Sequence, residues 1–87
     1  MSAAVEKVVK IVVTGGTCQG GYHPVGQEWL VEDTTPGGIC LGAWEAVAPY
    51  LMTLRYGGDF PWEPEAGCAT IHCPDPCGIT LRLERLG

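Results

Sequence analysis

The chain has 87 residues, enough for one domain over residues 1–87 and near the smallest size at which one apolar core folds unaided. Hydrophobic residues make up 46% and charged residues 17%, which describes a globular chain and excludes a disordered one. The net charge is −5, with 5 Lys and Arg against 10 Asp and Glu, so nucleic acid and anionic membrane surfaces are excluded as partners.

The first expected element runs from Val5 to Thr14. Val9, Ile11 and Val13 alternate onto one face, while Val8 and Val12 make the other face apolar too. That pattern fits a strand covered on both sides or paired across an oligomer interface. Gly15-Gly16 ends it, and a loop carrying Gly20-Gly21 and Pro24 leads to about Gly26. A second strand follows from Gln27 to Asp33, with Trp29 and Val31 sharing a face. Thr34-Thr35-Pro36-Gly37-Gly38 breaks the chain.

From Ile39 to about Tyr56 the period becomes helical, with Cys40, Ala43, Trp44, Val47, Leu51 and Leu54 on one stripe. Pro49 predicts a kink, or a break into two short helices near Ala48, because it gives no N–H to Glu45. Gly57-Gly58 is a C-terminal stop. Phe60 and Trp62 sit in a short aromatic loop and are expected to cap the end of the sheet; a partner surface is the alternative. A third strand spans Cys68 to Cys73, with Ala69, Ile71 and Cys73 on one face. After Pro74-Asp75-Pro76, Ile79 to Leu86 alternates cleanly, with Ile79, Leu81 and Leu83 inward. The order β-β-α-β-β implies an α+β fold: a mostly antiparallel four-stranded sheet with one kinked helix on one face. The expected core is Val9, Ile11, Trp29, Val31, Trp44, Val47, Leu51, Ile71, Leu81 and Leu83.

Four motifs carry a resemblance: His23-Pro24-Val25-Gly26, Gly38-Ile39-Cys40, Gly57-Gly58-Asp59-Phe60-Pro61-Trp62 and Cys73-Pro74-Asp75-Pro76. Over Val9 to Arg85 the chain resembles a family of uncharacterised small cysteine-containing bacterial and archaeal proteins of similar length, many from anaerobes. The resemblance implies that Cys18, His23, Cys40 and Cys73 belong to a shared pattern, and it brings no established activity. Cys68 and Cys77 fall outside that pattern, and Cys18 stands one residue further from His23 than the family's spacing.

The chain has no long apolar run of about 20 residues for a membrane span, and residues 1–10 do not form a secretion signal. The expected location is cytoplasmic, where five cysteines read as thiols or ligands rather than as a disulfide framework. Three chemistries then compete for these side chains. Three thiolates and an imidazole from Cys18, His23, Cys40 and Cys73 suit a tetrahedral ion, zinc or iron, at the start of the helix, although no close Cys-x-x-Cys pair is present. A thiol at the start of a helix is also a candidate catalytic or redox nucleophile, with Cys40 attacking and His23 as base. The alternative is that Cys40 and Cys73 are small buried hydrophobes in a metal-free interaction or small-ligand-binding module. His72 neighbours Cys73 on a strand and so faces the opposite side. Sparse charge leaves apolar surface to cover, which favours a homo-oligomer.

Overall fold

A computed structural model describes residues 8–16, 23–73 and 78–86. Strand β1 is Val8–Gly15, β2 is Glu28–Val31, helix α1 is Leu41–Arg55, β3 is Cys68–His72 and β4 is Thr80–Leu86. The β-β-α-β-β order and the antiparallel sheet are those expected. The strands lie in the order β2-β1-β4-β3, with every neighbouring pair antiparallel. The two most strongly alternating segments, β1 and β4, therefore hold the centre. Helix α1 leads from one edge strand to the other and packs on β1, β3 and β4.

Register fixes which side chains meet. Ile11 pairs with Trp29 on one side and Leu83 on the other, while Leu81 pairs with Val13 and Ile71. These residues share the helix-facing side, because side chains alternate along a strand. Val9, Ile11, Val13, Leu81 and Leu83 are fully buried against Ala43, Val47, Leu51 and Leu54 of the helix. Two expected core residues differ: Trp44 and Ile71 are half-buried at the margin. Trp44 is too large for the centre of a thin two-layer core, and smaller Ala43 takes that place. Ile71 lies on an edge strand, with packing on one flank only.

Helix α1 passes through Pro49 as one kinked helix and does not break into two. Its C-terminus closes as a Schellman motif: Gly57 N–H donates to Leu54 O at 3.1 Å and Gly58 N–H to Thr53 O at 2.9 Å. Gly57 has φ +91, a conformation that glycine adopts without strain. Arg85, in the inward phase of β4, completes this end by donating to Leu54 O at 3.0 Å and Gly58 O at 2.7 Å. Asp59 then accepts from Arg85 at 2.9 Å and from Gly67 N–H at 2.7 Å. Those bonds, the Gly67 bond foremost, hold its carboxyl below the usual aspartate range.

The outer face of the sheet is mixed. Val8 and Val12 are half-buried there, beside a chain of ion pairs from Lys10 to Glu84, Glu84 to Arg82 and Arg82 to Glu65. Among the described residues, nothing packs over that face as a second layer. The β3 edge is blunted by Glu63, whose carboxylate accepts the Thr70 N–H at 3.0 Å. No helix among the described residues is long and apolar enough to cross a membrane.

Candidate functional site at the helix start

Antiparallel register brings the end of β1, the start of β2, the end of β3 and the start of β4 to one edge of the molecule. The helix starts there as well. His23, Cys40 and Cys73 therefore lie at the same end of the fold, while Cys18 and Cys77 fall outside the described residues.

The turn His23 to Gln27 is tied to β1 by Gly26 N–H to Val13 O at 2.8 Å and Val13 N–H to Gln27 O at 2.9 Å. Gly26 adopts φ +97, which the sharp turn needs. Folding the chain back in this way buries His23 to 3% exposure. Its Nε2 accepts the Cys40 backbone N–H at 3.0 Å. Its Nδ1 lies 2.9 Å from Gln27 Oε1. A backbone N–H can only donate, so Nε2 carries no proton. The ring hydrogen is then on Nδ1 and donates to the Gln27 carbonyl oxygen. Both nitrogens of a neutral ring are thus engaged within the chain.

Cys40 is the residue before the first turn rather than in it, with φ −72 and ψ 155 and no side-chain cap of its own. Its carbonyl accepts the first helical bond, from Trp44 N–H at 2.9 Å. Its N–H is one of the four that a helix start leaves unpaired. His23 supplies the acceptor from another part of the chain. Trp29 braces the pair: its ring meets the His23 ring edge-on at 4.9 Å, and its indole N–H donates to Gly37 O at 3.2 Å. The Cys40 side chain is half-buried against the core.

Cys73 ends β3, donates its N–H to Ile79 O at 2.9 Å and packs partly against the same core. Nearby, Gly16 meets the Gly78–Ile79 backbone so closely that an added Cβ would lie 2.4 Å from Gly78 O. Among the described residues, no three His, Cys, Asp or Glu side chains come together as a metal site. A metal on His23 would have to displace either the Cys40 N–H or the Gln27 amide.

Cys68 faces the outer side of the sheet, across from His23 and Cys40. Arg82 approaches its sulfur at 3.2 Å, yet burial pushes the thiol up, the Arg82 charge opposing this only in part. A thiol held protonated in this way is a poor nucleophile. His72 is exposed on that outer face, with its Nδ1 3.2 Å from Thr80 Oγ1. Phe60 packs partly on the core and stacks with Trp62 at 5.0 Å, but Trp62 remains 66% exposed. Phe60 thus lies against the core beside Tyr50, 5.4 Å between ring centroids, while Trp62 does not fold back onto it.

Three participants at the two helix ends escape a reading of the sequence: Gln27, Trp29 as the brace of His23, and Arg85. Arg85 had a signal, since it falls in the inward phase of Leu81 and Leu83. Comparison with protein-family models, curated proteins and solved structures finds no match to this chain.

Proposed function

We propose that the chain is a metal-free small-ligand-binding or interaction module whose cysteines pack against the core. The observation that carries this is the His23 ring, buried and hydrogen-bonded at both nitrogens to Cys40 N–H and Gln27. In that state the imidazole is a helix-capping group, with no lone pair directed to an ion or a substrate. Half-buried Cys40 and Cys73, both packed against the core, fit the same role. Elemental analysis of protein purified without oxygen or added metal tests it. Far less than one zinc or iron per chain is expected, and about one per chain would overturn it.

A second reading, a zinc or iron centre or a redox thiol site using Cys18, His23, Cys40 and Cys73, is favoured by one observation. The three described members lie at the same end of the sheet. It requires the His23 ring to release one of its two bonds. Thiol labelling separates the two. A metal centre makes Cys18, Cys40 and Cys73 protected together and, after chelation, reactive together. The metal-free module leaves their rates unchanged by chelator.

We infer that the module also assembles with itself. Half-buried Val8 and Val12, with Leu30 58% and Leu86 39% exposed, give the outer sheet face more apolar surface than a solvated face needs.

A further inference from the structure

A second place on the molecule, along the flank of α1 and beginning beside Cys40, has the composition of a binding cleft. The loop after β2 stands off the flank of α1 and leaves two adjoining hollows, of about 190 Å³ and about 320 Å³, with Thr35 and Trp44 common to both. The larger is walled by Pro36, Ile39 and Leu41, and the smaller by Val31, Leu51 and Met52. Leu41 is 85% exposed at its rim, a heavy exposure for a leucine.

The smaller hollow ends in a charge. Arg55 lines it, and its side chain is only 9% exposed. An arginine in the last turn of a helix commonly serves the terminal carbonyls. Here Arg85 already holds Leu54 O and Gly58 O. Arg55 contacts Asp33 Oδ1 at 2.7 Å, and that carboxylate is 82% exposed on the loop. A guanidinium at the end of an apolar cleft, held by a carboxylate that can swing into water, is suited to exchange it for another carboxylate.

We propose that this cleft binds a small apolar molecule bearing a carboxylate, its acid group on Arg55 in place of Asp33 and its apolar body against Trp44. The larger hollow, about 320 Å³, reaches the lower end of the range for small-molecule sites, and with the smaller beside it admits a single ring or a branched chain. A free acid and the C-terminal carboxylate of an apolar peptide share this chemistry. The proposal places the ligand-binding half of the function given above, and elemental analysis reports on that function independently of this cleft.

The test is a titration of the full chain, in chelator, followed by amide NMR shifts and Trp fluorescence. The probes are 3-phenylpropionate, its neutral amide, and N-acetyl-leucine as a peptide-end mimic. Saturable binding of an acid is expected, with shifts at Trp44 and Arg55 and roughly tenfold weaker binding of the amide. Whichever acid binds more tightly assigns the source. Asp33→Asn, an exposed change that leaves the core intact, is expected to tighten acid binding roughly threefold by removing the internal competitor. Arg55→Met is expected to weaken it roughly tenfold. Equal binding of acid and amide, unchanged or weaker acid binding in Asp33→Asn, or no saturable shift at Trp44 would each overturn the proposal.

Discussion

Replacing His23 with Ala removes three things at once. The Cys40 N–H loses its acceptor, Gln27 loses a donor, and Trp29 loses an edge-on ring at 4.9 Å. Leaving a part-buried backbone donor unpaired costs up to about 1–3 kcal/mol. The lost aromatic contact adds about 0.5–1.5 kcal/mol. Allowing for water entering the space, the whole is about 1–4 kcal/mol, a large share of the stability of a domain this small. His23→Gln separates the contributions, because its amide oxygen can reach the position of Nε2 and accept the Cys40 N–H. It is expected to recover about half the loss. Urea unfolding at equilibrium, with and without chelator, measures both. The reasoning fails if His23→Ala lies within about 0.5 kcal/mol of the parent. It also fails if chelator alone brings the parent down to the level of His23→Ala, since His23 would then act through an ion.

Other substitutions test the frame around the site. Leu81→Ala, at a fully buried central position, is expected to cost about 2–5 kcal/mol by denaturant unfolding, and Arg82→Ala on the outer face under about 1 kcal/mol. Similar costs would mean that the facing of β4 is wrong. Arg85→Met uncaps two carbonyls at the end of α1 and is expected to cost about 1.5–3 kcal/mol, with faster amide exchange in the last turn of the helix. Asp59 and Glu84 have carboxyls held below their usual range, Asp59 chiefly by the Gly67 N–H and Glu84 chiefly by Arg82. The unfolded chain then binds protons more readily, so their stabilisation is complete above about pH 4–5 and is lost as pH falls through the lowered folded values. Asp59→Asn is expected to flatten part of that acid limb in a pH series of melting curves; an unchanged limb would remove Asp59 from the account. Sedimentation at low micromolar concentration is expected to give a dimer or larger, and a monomer would leave Val8 and Val12 covered by the chain itself.

Much of the fold was legible because it depends on local periodicity. The alternation of Leu81 with Leu83 and of Trp29 with Val31, and the Gly57-Gly58 stop, are short-range signals, and the structure follows them. Strand order was not legible, because pairing depends on contacts between distant segments. Trp44 illustrates the same limit: its position on the helical stripe is right, but its bulk moves it to the flank, where it walls a cleft. At the candidate site, chemistry drew attention to His23 and Cys40, and they do meet. The contact is through the Cys40 backbone N–H and not its sulfur, and a sequence pattern carries no sign of that difference. Arg55 was invisible for a related reason, since a lone arginine near a helix end reads as a solvated charge, whereas here it is buried beside Asp33.

The central claim is that His23 caps the helix as a neutral ring bonded within the chain, and ¹⁵N–¹H long-range correlation of its imidazole tests this most directly. The protein is to be purified without oxygen or added metal and recorded before and after chelator. The account predicts a hydrogen on Nδ1, an unprotonated Nε2 that shows coupling across its hydrogen bond to the Cys40 amide, and no change on chelation. A hydrogen on Nε2, or a ring nitrogen whose shift moves when chelator is added, would contradict it.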